Sequence, residues 1–259
     1  MRKIFKTLKL LSAALLLAAG TPPVLGAAAA TADTSIICAV PQTYSALEAL
    51  KEQAPVPFEN FFAPENELYQ RIVSGSGHCD LLVSSGERLP LQLMRAEKAS
   101  TLNYSAFLKA PLLLWSADAS LFRRGPRPIT QKQLKSIASP KATLTPAGYA
   151  ATQVLKSKDF PTGYLKNHIH YAENEYQVYS VVSSGLIQTG FLTRPVVVSA
   201  PGGLKGSFWQ VPKKMYPPIY YYVLILDQAK SIPASRSLYE FLKGDAALGV
   251  FMQAGFDAP

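Results

Sequence analysis

The sequence predicts an α/β protein of two lobes, each a mostly parallel sheet flanked by helices, with two crossover strands between them. Three observations carry this. Short apolar or β-branched runs alternate with helical spacing through residues 35–84, the pattern of a parallel sheet with helices packed on it. A second alternating series occupies residues 111–192. Finally, an apolar strand, Tyr220–Leu226 (YYYVLIL), returns after Pro217 and Pro218 with two more helical stretches behind it.

Residues 35–40 (SIICAV) form a short buried-strand run. Ala46, Leu47 and Leu50 then share one helical face within 44–53. Residues 58–63 read as a second strand, 67–74 as a helix stopped by Gly75, and 80–84 (DLLVS) as a third strand. A new strand begins at 111–116 (PLLLWS). It is followed by a Pro/Arg-rich connector at 123–128 and a helix at 130–137, for which Thr130 is a suitable N-cap. Pro146, Ala147 and Gly148 open a helix over 149–156; 174–184 is a helix ended by Gly185, and 188–192 is a strand. Pro233–Lys243 carries Leu238, Phe241 and Leu242 on one face, and 245–254 is a further helix before Gly255. Strands 111–116 and 220–226 are expected to cross between lobes and form a hinge, with a cleft beside it. The expected division is 1–32 as a signal peptide, 33–114 with 219–259 as the first lobe, and 115–218 as the second.

The 259 residues carry 26 basic and 17 acidic side chains, a net charge of +9, with 48% hydrophobic residues. That composition excludes disorder, collagen and coiled coil. Residues 1–32 place Arg2, Lys3, Lys6 and Lys9 before an apolar run at 10–19 and an Ala-rich end. This is the layout of a secretory signal peptide, and the run is well short of the roughly 20 residues a membrane span needs. Cleavage after Gly26 and cleavage after Ala32 both fit. Removing this segment leaves 22 basic against 17 acidic residues, or +5. Arg123, Arg124 and Arg127 cluster, but no nucleic-acid motif accompanies them, so no nucleic-acid partner is expected.

Cys38 and Cys79 allow one disulfide in an oxidising compartment; two separate buried thiols is the other reading. Cys79 sits beside His78 and Asp80, but the zinc-type spacing of a second ligand cluster is missing. G-x-S-x-G, P-loop, H-E-x-x-H and G-x-G-x-x-G motifs are absent, and the glycine-rich stretch 202–206 lacks the Walker spacing. The pair Ser84-Ser85 ends a strand without a histidine placed to act as its base. The chain is therefore expected not to be an enzyme, and no cofactor or metal is called for.

Several segments, taken in order, resemble the molybdate-binding periplasmic proteins of ABC importers. Cys79-Asp80-Leu81-Leu82-Val83-Ser84 resembles that family's "ADLFIS" strand, and Ser139-Pro140 with Pro146-Ala147-Gly148 resembles its "DP…PAG" stretch. Glu173-Asn174 resembles its "EN" helix start, Ser184-Gly185 with Gly190-Phe191 its "SG.AD.GFV" segment, and Phe241-Leu242 through Gly255-Phe256 its terminal "FLxSPEA…YGF". The resemblance covers nearly the whole mature chain. It implies the type II periplasmic-binding-protein fold and a small oxyanion of the molybdate or tungstate type bound by closure of the cleft. It also implies an ABC permease in the inner membrane as partner, a periplasmic location and a monomer.

Carried over by position, the resemblance assigns ligand contacts to Gln42, Thr43, Glu65, Asn66, Ala147, Glu175 and Thr193. The family binds its anion with hydroxyls and backbone N–H groups at helix starts, where unpaired donors and a positive dipole end favour negative charge. Here Gln42 stands at a family serine, Glu65 and Asn66 lie where the family shows serines, and Glu175 stands where it often has valine. A carboxylate about 4 Å from an anion costs about 4 kcal/mol at a protein-like dielectric of 20. The two glutamates either line the site or point away as helix caps. Accordingly a polar organic molecule or a cation is an alternative ligand, and a sensor or interaction protein without ligand is an alternative role. Tyr216 and Tyr220 to Tyr222 are either a contact surface or rings of a returning strand.

Overall fold

The structure is a computed structural model that describes residues 34–200, 203 and 205–259. The signal peptide and both cleavage positions lie outside the described residues, as does part of the 202–206 stretch.

The first sheet begins with the predicted alternation. β1 (Ser35–Ala39), α1 (Tyr44–Leu50), β2 (Phe58–Phe62), α2 (Glu65–Ser74) and β3 (Leu81–Ser85) follow one another, with β1 parallel to both β2 and β3. Gly75 closes α2 at φ 69°, a left-handed conformation that glycine adopts without steric cost. Cys38 and Cys79 are joined in a disulfide between β1 and the turn before β3. Then come α3 (Arg88–Arg95) and β4 (Ala99–Lys109).

The second sheet is built from β5 (Leu112–Ser116), β6 (Ile137–Pro140), β7 (Ile169–Ala172), β8 (Thr189–Thr193) and β9 (Ser207–Gln210), in the order β7-β6-β8-β5-β9. Its helices are α4 (Arg127–Thr130), α5 (Pro146–Lys156), α6 (Glu175–Ser183) and α7 (Arg194–Val198). The chain then returns as β10 (Tyr220–Leu226) and ends in α8 (Pro233–Lys243) and α9 (Asp245–Gln253). β10 completes the first sheet, ordered β2-β1-β3-β10-β4.

Four expectations are corrected. Each sheet is mixed rather than mostly parallel, with two parallel and two antiparallel pairings. The expected boundary at 114/115 cuts through β5, which pairs along its length with β8 and β9 of the second sheet. β10 does not cross either, because it lies antiparallel between β3 and β4. The crossings are instead the short segments around Ala110-Pro111 and Pro217-Pro218, whose prolines cannot donate to a ladder. They run side by side, the Ala110 N–H donating to the Ile219 carbonyl at 2.9 Å and the Leu112 N–H to the Tyr216 hydroxyl at 3.0 Å. The helix expected over 130–137 sits earlier, at Arg127–Thr130: Pro128 suits a first turn, and Lys132 at φ 55° ends the helical path before β6.

A third strand of chain braces the hinge. The C-terminal tail pairs Asp257 with Lys109 of β4. From α7, Arg194 donates to the carbonyls of Gly255 (2.8 Å) and Phe256 (3.2 Å) and meets the Asp257 carboxylate at 2.7 Å. The tyrosines of the returning segment are largely interior: Tyr216, Tyr221 and Tyr222 are buried, and Tyr221 packs edge-on against Phe256.

Candidate functional site

Parallel strands collect their following loops and helix starts at one edge. In the first sheet that edge carries Gln42 after β1, Glu65 opening α2 after β2, and Ser84 and Ser85 ending β3. In the second it carries residues 142–146 after β6, Asn174 and Glu175 after β7, and Thr193 ending β8. These edges face one another across the cleft. Gly86 is glycine for a reason here: its φ is +81°, and a Cβ would lie 2.7 Å from Pro146 Cγ on the opposite lobe.

Glu175 is the central group. It is 2% exposed. Its Oε1 accepts from both the Thr193 backbone N–H and the Thr193 hydroxyl at 2.6 Å, and its Oε2 accepts from the Gln42 amide at 3.2 Å across the cleft. The carboxylate does not cap α6. Asn174 does that, accepting from the Gln177 N–H at 3.0 Å. Burial pushes the Glu175 pKa above the ordinary carboxylate value, against the pull of the Thr193 and Gln42 donors. The Tyr221 hydroxyl is also buried without a hydrogen-bond partner, and burial together with the neighbouring Glu175 charge pushes its pKa well up.

Glu65 forms a second network. Its Oε1 accepts from Ser85 Oγ at 2.9 Å and lies 3.2 Å from Ser84 Oγ, while its Oε2 lies 3.9 Å from Arg88 Nη2. Arg88 also reaches across the cleft, donating to the Thr143 carbonyl at 3.3 Å. Burial raises the Glu65 pKa, with the Ser85 hydrogen bond and the Arg88 charge acting in the other direction. A third contact between lobes joins the Ser45 and Ser199 hydroxyls at 2.8 Å.

Two cavities flank the Glu65–Arg88 pair. One, of 470 Å³, is lined by Gln42, Glu65, Asn66, Thr145, Asn174 and Tyr176 among others. The other, of 510 Å³, lies on the hinge side against Pro217, Pro218, Tyr220 and Tyr222. Such volumes suit an organic solute of moderate size.

Of the residues singled out in the sequence, Gln42, Glu175 and Thr193 meet in one network, and Gln42, Glu65 and Asn66 line one cavity. Thr43 and Ala147 line neither cavity. The Thr43 hydroxyl is spent on the Val40 carbonyl at 2.8 Å, and Ala147 is buried in the first turn of α5. Glu65 lines both cavities, whereas Glu175 and Thr193 line neither and lie buried where the two lobes meet. Sequence reasoning missed Arg88, Glu87, Thr145, Tyr149, Tyr176 and the place of the Ser84-Ser85 pair beside Glu65 in the cleft. For the serines a signal was present, since they end a parallel strand at the ligand-bearing edge.

Residues 42–257 match the family described as bacterial extracellular solute-binding protein. The chain is 29% identical over 199 residues to the molybdate-binding protein ModA of Azotobacter vinelandii, covering 75% of this chain and 77% of that one. The solved structure of an Azotobacter vinelandii periplasmic molybdate-binding protein superposes with a TM-score of 0.73 at 22% identity, covering 87% of this chain and 99% of that chain. Peb3 from Campylobacter jejuni superposes with a TM-score of 0.69 at 11% identity, covering 87% and 100%. Proteins of this fold therefore share its two lobes and cleft across very different sequences. With its family match spanning most of the sequence and its site in the cleft between two mixed sheets, the chain belongs to the bacterial extracellular solute-binding proteins.

Proposed function

We propose that the chain is the periplasmic solute-binding component of an ABC importer, and that it captures a polar organic solute rich in N–H or O–H donors. Capture occurs by closure of the two lobes about the segments near residues 110 and 218, and the closed form is presented to a permease in the inner membrane. One observation carries the ligand class. The donors that an anion would use at the cleft centre, the Thr193 N–H and hydroxyl and the Gln42 amide, are already engaged by the protein's own Glu175 carboxylate. Glu65 engages the serine hydroxyls in the same way. The carboxylate that lines both open cavities is Glu65, and a lining that offers carboxylate oxygens favours a solute that brings the donors. The two cavities that remain open favour solute capture over a sensor role with the cleft filled by its own side chains.

A second reading is capture of molybdate or tungstate, favoured by the 29% identity to ModA. The fold itself does not choose: PEB3, of the same fold, has been crystallised with L-phospholactate. Native mass spectrometry of protein exported and purified without refolding, paired with calorimetric titration of molybdate and tungstate, separates the readings. The expected result is a retained organic solute and no saturable heat from either oxyanion. Molybdate binding at or below micromolar would overturn the first reading in favour of the second.

A further inference from the structure

We propose that the hinge-side cavity is a second solute subsite, built to take an organic cation with an apolar body such as an aryl- or alkylammonium group. The proposal deepens, and rests on, the reading of the cleft as a site for donor-bearing organic solutes. Four observations carry it.

First, the cavity is large and separate from the Glu175 network. It holds 510 Å³, and none of Gln42, Glu175 and Thr193 lines it. Second, its walls are mainly rings and apolar carbons: Leu144, Tyr149, Tyr220 and Tyr222, with Pro217 and Pro218 beside them. Leu144 and Tyr149 are 42% and 53% exposed, so two large side chains stand uncovered at one cavity. Third, the central ring is held rigidly. Tyr222 stacks on Tyr104 with centroids 4.9 Å apart and planes within 6°. Its hydroxyl donates to Glu87 Oε1 at 2.7 Å. Burial and the Glu87 carboxylate both push the Tyr222 pKa up, so the phenol keeps its proton and the ring stays neutral.

Fourth, the charge balance is negative. Glu65 is matched by Arg88 at 3.9 Å, whereas among the described residues Glu87 has no basic side chain within ion-pair distance. Lys109 Nζ already lies 5.3 Å from the Tyr220 centroid, so the rings left for a ligand are Tyr149 and Tyr222. A cation over them beside the Glu87 carboxylate is attracted by both the ring quadrupole and the charge. An anion meets only the Arg88 guanidinium, which also lines the cavity and already faces Glu65 at 3.9 Å. The position against the hinge prolines also gives the subsite a role in closure, because a body bound there touches residues 142–146 of one lobe and Ser85 to Arg88 of the other.

The test uses the mature chain, with benzyltrimethylammonium as the probe and benzenesulfonate as the anionic control of similar size, read by saturation-transfer NMR and calorimetry. The expected result is saturable binding of the cation at least tenfold tighter than the sulfonate. Glu87→Gln and Tyr149→Ala, both at exposed positions that leave the fold intact, should each weaken the cation at least fivefold. Lys156→Ala, at an exposed position that lines neither cavity, should leave it within twofold. No saturable cation binding, equal binding of the sulfonate, or indifference to Glu87→Gln and Tyr149→Ala would overturn the subsite. The reading of the cleft fails separately: a co-purified organic solute lost in Gln42→Ala, together with no saturable cation binding, leaves that reading standing and removes only the subsite.

Discussion

Replacing Glu175 with alanine should convert the cleft centre into an anion site. The side chain is 2% exposed, and its carboxylate takes three hydrogen bonds: two from Thr193 at 2.6 Å and one from Gln42 at 3.2 Å. Alanine leaves those donors facing a carboxylate-sized void. Each buried donor left unsatisfied costs about 1–3 kcal/mol, so a loss of about 3 kcal/mol or more is expected, or roughly 6–12 °C in Tm for a chain of this size. The charge effect has the opposite sign for an added anion. Removing a carboxylate about 4 Å from the anion relieves about 4 kcal/mol at a dielectric of 20, close to a thousandfold in affinity. Thermal melts of wild type and Glu175→Ala with and without sodium molybdate, followed by calorimetry, read both effects. The variant should melt lower and recover with molybdate, while wild type should not respond. A variant that melts like wild type and ignores molybdate would refute the assignment of Thr193 and Gln42 as the donors an anion would use.

Stability should fall as pH rises above about 4.5. Burial raises both the Glu175 and Glu65 pKa values, so the folded state holds their protons more tightly than the unfolded chain does. The stability that results is present below the unfolded value and lost as pH rises through the folded one. Urea midpoints across pH 4 to 8 should show the slope, and Glu65→Gln with Glu175→Gln should flatten it; a slope that survives both changes does not come from these two carboxylates. Reduction of Cys38–Cys79, which closes a loop with a sequence separation of 41, should cost up to about 4 kcal/mol, measured by denaturation with and without reductant. Arg194→Ala should cost about 2–4 kcal/mol by removing three bonds to the tail, and increased proteolysis beyond Gly255 should accompany it. Neither change appearing would mean that the tail holds by packing alone.

How far the sequence exposes this structure depends on how local each signal is. The alternation from β1 to β3 is legible because apolar runs and helical spacing are properties of a few neighbouring residues. Gly75 and Gly185 mark helix ends for the same reason. β4 is not legible: its 11 residues sit at a sheet edge with mixed exposure and include Ser, Thr and Asn, so neither a buried run nor a clean alternation appears. The four-residue β6 ends in proline, and its first residue falls inside the helix expected over 130–137. In the cleft, the resemblance places Glu175 near the site, but its partner Gln42 is 133 residues away in the chain. Their hydrogen bond is a product of the tertiary fold. The tyrosine platform is hidden likewise, since Tyr104 and Tyr222 stack only because β4 and β10 pair.

The place of β10 in the first sheet sets the order in which the molecule is finished. The second sheet is contiguous in sequence, from β5 to β9, and holds all of its strands once about residue 210 has been made. The first sheet cannot close then, because the strand between β3 and β4 comes from residues 220–226 and the helices behind it run to residue 253. Without those last forty or so residues, β3 and β4 lack their common neighbour. Closure of the first sheet is therefore a long-range event, joining β3 and β4 to a strand more than 110 residues further along the chain than β4, whereas closure of the second sheet is confined to one continuous stretch.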